Sequence, residues 1–391
     1  MLDSILNTDS DTGSEAATSA DSYSYLTRAV FFLCALLVLV VLRDCSAEKN
    51  SDETTGVYKE AVWDFETDGP VRSAPSVSGG TVYVGSDDGH LYAIDAETGQ
   101  EQWAFETNWR VKVYSSPAVS GGTVYMGSGD RLYAVDAETG QEQWAFETDM
   151  ILHRRVVSSP AVSGGTVYVG SRDGHLYAID AETGQEQWAF ETDDWVYSSP
   201  VVSSGTVYAQ SKDNHLYAID AETGHEQWAF DTGGASVHSS LAVSGGTVYV
   251  AGRHLYAIDA KTGQERWAFQ PGWGRVESSP AVSGGTVYFG RGYNLYAIDA
   301  ETGQEQWSFR TRMTQVRSSP TVSGGMVYYG SEEVDIGENQ IYSNDRLYAI
   351  DAETGQKQWA FKTGDPVRSS PVVSGDTVYL GSWDGHLYAV E

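Results

Sequence analysis

The chain of 391 residues carries 54 acidic and 24 basic side chains, a formal charge of −30. This balance argues against duplex or single-stranded nucleic acid as a partner, because holding a phosphate backbone needs neutralising lysine and arginine. Its two cysteines, Cys34 and Cys45, both precede the first repeat unit, so everything after them must be stabilised by packing and not by a disulfide.

In chain order, residues 1–28 are rich in Asp, Ser, Thr and Glu and are expected to form a disordered acidic tail. Ala29–Leu42 is an uninterrupted apolar run between Arg28 and Arg43. It is short for a bilayer span of about 20 residues and suits the core of a signal peptide. A span from Tyr23 to Leu42 is long enough if Thr27 and Arg28 sit near the interface. An uncleaved N-terminal membrane anchor is the reading taken, ahead of cleavage or lipidation around Cys45-Ser46-Ala47. Either places the remainder on the extracellular side of the cell membrane, or secreted if the leader is cleaved. Residues 43–60 read as a linker.

From residue 61 the chain repeats itself. Trp-x-Phe recurs at Trp63, Trp103, Trp144, Trp188, Trp228, Trp267, Trp307 and Trp359, spaced by 39 to 44 residues until a final gap of 52. Leu-Tyr-Ala recurs in step, from Leu91 to Leu387. Self-similarity at about 40 residues, with four short strand-like runs per unit, predicts an all-β eight-bladed propeller over residues 61–391. One unit shows the plan. An inner run Val71–Val77 passes through Ser78-Gly79-Gly80 into Thr81–Gly85. His90–Asp95 follows, and Ala96-Glu97-Thr98-Gly99 turns the chain into Gln102–Thr107. Trp103 and Phe105 lie two apart on one face of the outer strand, placed to fill the gap between blades. The eight tryptophans are accordingly structural docking residues. Ala61–Thr67 is an outer strand with no strands before it, and the last unit stops after Leu387–Val390. Pairing these two pieces completes the eighth blade and closes the ring.

The string Ala93-Ile94-Asp95-Ala96-Glu97-Thr98-Gly99-Gln100-Glu101-Gln102-Trp103 resembles the tryptophan-docking motif of pyrroloquinoline-quinone (PQQ) repeat propellers. Near-copies follow at Ala134–Trp144, Ala178–Trp188, Ala218–Trp228, Ala257–Trp267, Ala297–Trp307 and Ala349–Trp359. The resemblance spans residues 61–391. It implies a family that contains PQQ-dependent dehydrogenases of alcohols or sugars. That family also contains cofactor-free scaffolds, similar to the propeller lipoprotein of the outer-membrane barrel-assembly machinery. Fold alone does not choose between them. The dehydrogenases carry a vicinal disulfide, a calcium ion held by Glu and Asn or Asp, and a catalytic Asp. Here the propeller has no cysteine, and Asp335, Glu338 and Asn339 in the insert match no metal loop. With only seven lysines, the acidity is similar to that of proteins from salt-loving archaea.

Comparison of the repeats with one another separates two rims. The Ser-Gly-Gly and Ala-Glu-Thr-Gly turns barely vary and share one rim; the connections between blades, and those joining second to third strands, vary and share the other. The insert Ser331–Asp345 is the longest of these. Variation confined to one face points either to a face that meets something specific or to relaxed drift in its loops. On that face, the residue two places before Ser/Ala-Pro reads Arg72, Tyr114, Val157, Tyr197, His238, Glu277, Arg317 and Arg368 around the channel mouth. Arg72, Arg317 and Arg368 fall in three consecutive blades, with His238 and Tyr197 further round. Together they form a candidate anion site, unless each arginine pairs with an acid such as Glu277, Asp365 or Asp68. Trp109, Trp195, Trp273 and Trp383 lie outside the repeat and on the same side, to stack on sugars, anchor an interface or plug loop bases.

The expected function is that of a monomeric, membrane-tethered extracytoplasmic scaffold. It binds an envelope protein or an anionic ligand through the variable rim, with no catalytic residue, metal or cofactor. The alternative is a PQQ-dependent dehydrogenase using PQQ with calcium.

Overall fold

The computed structural model describes residues 57–107, 111–148, 156, 158–234, 239–270, 276, 278–311, 314–333 and 345–391. The acidic tail and apolar run expected at 1–42, and the linker as far as residue 56, lie outside the described residues.

Seven blades follow in chain order over residues 76–106, 118–147, 161–191, 201–231, 242–269, 281–310 and 321–362, each built around an antiparallel meander of four strands. The eighth combines Val372–Ser374, Thr377–Gly381 and His386–Val390 with the N-terminal strand Ala61–Glu66. In that shared blade Trp63 stands opposite Ala389 and Phe65 opposite Leu387. Each innermost strand neighbours those of the blades on either side, and that of blade 8 neighbours that of blade 1, so the ring closes. The second and third strands, such as Thr81–Gly85 and His90–Asp95, are almost wholly buried, and their β-branched and aromatic residues suit a position packed on both faces. The outer strand Glu101–Glu106 alternates, burying Trp103 and Phe105 more than their neighbours.

Two features depart from the sequence expectation. The inner run expected over Val71–Val77 becomes regular strand only at Ser76–Ser78. Pro75 has no N–H to give to a ladder and sits just ahead of the strand, where proline is tolerated. Ser73 supplies the missing pairing with its side chain: Oγ donates to the Gly85 carbonyl and accepts from the Gly85 N–H, both at 2.8 Å. The second departure is blade 7. Val57–Tyr58, read as linker, adds a parallel strand to its outer edge, with Val57 opposite Trp359. Thr314–Val316 lengthens the inner side, pairing with Ser331–Glu333 of the long second strand Met326–Glu333.

Hydrophobic clusters fill the gaps between blades. Between blades 8 and 1, Tyr379, Leu387 and Ala389 meet Val71, Val82, Val84, Tyr92 and Ile94, with Trp63 and Phe65 packed against them. Each outer tryptophan also docks on the next blade. The Trp63 indole N–H donates to the Ala96 carbonyl at 3.1 Å, and Trp103, Trp144, Trp188, Trp228, Trp267 and Trp307 repeat the bond with Ala137, Ala181, Ala221, Ala260, Ala300 and Ala352. The turn glycine is obligatory there. Gly99 has φ +71°, and a Cβ on it would lie 2.7 Å from the Trp63 ring. Trp359 makes no such bond among the described residues; the Lys59 ammonium stands 6.0 Å above its ring instead.

Around the axis runs a second set of links. The backbone N–H of Ala74 donates to Ser116 Oγ, that of Ser116 to Ser159, and so on through Ser199, Ser240, Ser279, Ser319 and Ser370 at 2.7–3.1 Å. The chain of bonds breaks only between blades 8 and 1, where Ala74 offers no hydroxyl to the Ser370 N–H.

Candidate functional site

On the variable rim the orientation of each mouth residue is set by a lock one residue earlier. Val71 donates its N–H to Ser382 at 2.9 Å and is fully buried over Gly381, where any Cβ would lie 2.3 Å from Val71 Cγ1. Val113 over Gly85, Val316 over Gly290 and Val367 over Gly330 repeat the arrangement. Arg72, Tyr114, Arg317 and Arg368 are therefore carried at a fixed angle by buried valines.

A second ring of side chains interleaves with the first. It comes from the residue after Gly-Ser at the end of the second strand: Asp87, Gly129, Arg172, Glu332 and Trp383, with Lys212 equivalent after Gln210-Ser211. A mouth residue reaches the loop residue of its own blade, of the preceding blade, or of both. Arg368 places its guanidinium 4.1 Å over the Trp383 ring and turns Nε and Nη2 onto the two carboxylate oxygens of Glu332, with Nε at 2.9 Å. Arg317 reaches the same carboxylate at 3.2 Å. On the other side Arg72 lies 3.8 Å over Trp383, 5.9 Å from the Tyr114 ring, and bonds Asp87 Oδ2 at 2.8 Å. Lys112 joins the same Asp87 oxygen at 3.0 Å. Blades 7, 8, 1 and 2 thus hold one continuous array, in which two guanidiniums lie against the Trp383 ring. The three arginines share partners, Arg317 and Arg368 through Glu332 and Arg368 and Arg72 through Trp383, and their carboxylates are Glu332 and Asp87. Asp365 and Asp68 take no part, and Glu277 lies outside the described residues.

Tyr197 falls on the opposite side of the ring, in blade 4. Arg172 of blade 3 lies 4.9 Å over the Tyr197 ring and 5.4 Å over Trp195, while Lys212 stands 4.2 Å over Trp195. Trp195 and Tyr197 meet edge to face at 5.5 Å. Burial pushes the Tyr197 phenol up from its ordinary value, and the Arg172 charge pulls it partly back. His238, Val157, Trp109 and Trp273, with Asp335, Glu338 and Asn339 of the insert, lie outside the described residues. The mouth register was legible from Ser-Pro spacing; Asp87, Glu332, Arg172 and Lys212 were missed. Aligning the residue after Gly-Ser across repeats would have found them.

The constant rim is built differently. Asp95 Oδ1 accepts from the Thr98 N–H at 2.8 Å and its hydroxyl at 2.7 Å, which holds the carboxyl below its ordinary value. Clefts of about 260 and 610 Å³ open there between blades, the first beside Trp63 and Tyr379, the second beside Tyr125 and Gln143. Their walls are mostly residue types that recur at the other junctions bearing the Ala-Glu turn, which marks them as gaps of the repeat.

Among the described residues no group of three or more His, Cys, Asp or Glu is placed to hold a metal ion. Trp383 has Arg72 and Arg368 upon it, and Trp195 carries Lys212 and Arg172.

No curated protein sequence matches the chain. Solved structures similar to it include BamB from Moraxella catarrhalis, at 17% identity and TM-score 0.70, covering 85% of this chain and 99% of that one. A computationally designed protein, Ika8, matches at 19% identity and TM-score 0.70, over 83% of this chain and 98% of its own. Quinohemoprotein alcohol dehydrogenase from Comamonas testosteroni matches at 16% identity and TM-score 0.69, over 85% and 76%. At such identities the likeness shows the fold alone. The family described as outer membrane protein assembly factor BamB matches residues 54–150, 128–270 and 251–391, and the chain belongs to that family of PQQ-repeat propellers.

Proposed function

We propose that this propeller is a protein-interaction scaffold, tethered outside the cell by the Ala29–Leu42 segment, with the variable rim as its binding face. The observation that carries the reading is the contrast between the rims. The constant rim repeats one Asp-Thr-Gly turn chemistry in blades 1 to 7, while among the described residues the variable rim gathers Arg, Trp and Tyr unevenly, around blades 7, 8 and 1 and around blades 3 and 4. Those residue types dominate binding energy at protein interfaces. Membership of the BamB family supports the scaffold reading. An anion entering at Arg72, Arg317 and Arg368 would have to displace Glu332 and Asp87, so these arginines serve the face as a pre-ordered surface. The acidity fits work in concentrated salt, where charge repulsion is screened beyond about 3 Å.

The test is affinity capture of the tagged full chain from membranes of its source cells in molar salt. The expected result is one protein recovered in stoichiometric amount by the wild type. That protein should be lost from a variant carrying W195A, R72Q and R368Q that melts at an unchanged temperature. Equal recovery by both would remove the rim from the account.

A further inference from the structure

The two cationic sectors of the rim differ in one respect. Around blade 8 every arginine already holds a carboxylate of this chain. Around blades 3 and 4 neither Arg172 nor Lys212 forms an ion pair with any described residue, although the chain carries a net charge of −30. Nearby acids are otherwise engaged: Asp194 accepts from the Trp195 N–H at 2.8 Å, and Asp213 accepts from the N–H groups of Asp193 and His215 and from the Tyr217 hydroxyl. Arg172 Nε is buried without an acceptor among the described residues. Trp195, which both cations touch, is 38% exposed, and Lys212 is exposed.

We infer that Arg172, Lys212, Trp195 and Tyr197 form a recognition site for a short acidic segment of a partner protein, taking paired carboxylates beside an apolar side chain. The buried Arg172 Nε has no acceptor among the described residues, and an incoming carboxylate supplies one, with the exposed Lys212 ammonium beside it. Arg172 offers a planar fork to such a group and Lys212 a mobile point charge. A stacked sugar is a poorer fit, because the indole is already engaged by the two cations. A long polyanion is a poorer fit still, since two isolated positive charges flanked by Asp193, Asp194 and Asp213 make no track for a run of negative charge. Trp195 then provides the apolar contact, its orientation fixed by Tyr197.

This assignment rests on the rim being a protein-binding face, and its test is separable from that reading. The full chain is titrated calorimetrically with acetyl-Glu-Leu-Glu-Glu-Leu-amide, with the same peptide bearing Gln for Glu, and with dextran sulfate. The glutamate peptide is expected to bind at least tenfold tighter than the glutamine peptide. R172Q/K212Q, and K212Q alone to a lesser degree, should lose that preference, while K261Q, in an exposed turn of the constant rim, keeps it within about twofold. Equal binding of the two peptides, or an unchanged preference in R172Q/K212Q, overturns the assignment. Tighter binding of dextran sulfate than of the peptide overturns it in favour of a polyanion. If a partner still crosslinks to the rim while these titrations fail, only the acidic-segment assignment falls.

Discussion

Arg368 grips both carboxylate oxygens of Glu332, the residue that Arg317 also reaches from blade 7. One carboxylate therefore compensates two guanidiniums in adjacent blades. Glu332→Gln should cost little stability, because both arginines are more than a third exposed and such pairs contribute about 0–1 kcal/mol. It should instead open the sector to added anions. Calorimetry with sulfate at constant ionic strength checks this: binding is expected in the variant and not in the wild type. Equal binding by both would show that the pairing does not occlude the site.

The broken link between Ser370 and Ala74 predicts a stabilising change. Ala74→Ser would give the Ser370 N–H the acceptor that every other junction has. A net gain of about 0.5–1.5 kcal/mol is expected, the usual value of one hydrogen bond. Denaturant unfolding in molar salt measures it, and a loss of stability would mean that the seam is spaced differently from the other seven junctions.

The docking turns separate strain from collision. Gly79 and Gly99 both have positive φ, so alanine at either position is strained. A Cβ at Gly79 meets nothing, whereas at Gly99 it strikes Trp63. Gly99→Ala should therefore destabilise clearly more than Gly79→Ala. Trp63→Phe should likewise cost more than Trp359→Phe by about 1 kcal/mol, the hydrogen bond that Trp359 lacks. Paired melting curves decide both comparisons; equal losses would contradict the docking geometry.

Much of this fold was legible because the repeat writes the same sentence eight times. Trp63 and Leu387 at the two ends announced the shared blade, and the Glu-Thr-Gly turn announced its own hairpin. The short inner strand was not legible, because Ser73 replaces a backbone ladder with its hydroxyl and no periodicity marks that. Nor was the use of Val57–Tyr58, a two-residue strand too brief to show a pattern. At the candidate site the arginines were visible through Ser-Pro spacing. Their partners Asp87 and Glu332 follow the second strand and become neighbours only through the interleaving of loops.

Acid should unfold the propeller through its constant rim. Asp95, Asp136, Asp180, Asp220, Asp259, Asp299 and Asp351 all titrate below their ordinary value; for six, the turn threonine is the leading cause, and for Asp259 it is Arg266. A carboxyl depressed in the folded state contributes stability that is present above its unfolded value, 3.8, and lost as pH falls through the lower folded value. Melting temperatures in fixed salt should fall below about pH 4, and Thr98→Val should shallow that fall. An acid slope unchanged by Thr98→Val would remove the turn from the explanation.

Salt should act in the opposite direction. Raising potassium chloride from 0.1 M to molar shortens the screening length from about 10 Å to about 3 Å, relieving repulsion across the acidic surface. The unfolding midpoint is expected to rise over that range, and a flat or falling midpoint in circular dichroism melts would contradict it.

The central claim is that the variable rim, and not the constant one, meets a protein. The most direct measurement places a photocrosslinking residue at Tyr114 on the variable rim or at Glu182 on the constant rim of the full chain, followed by irradiation in the source membranes at molar salt. The account predicts a discrete protein adduct from position 114 and none from position 182. An adduct from 182 with none from 114 would contradict it.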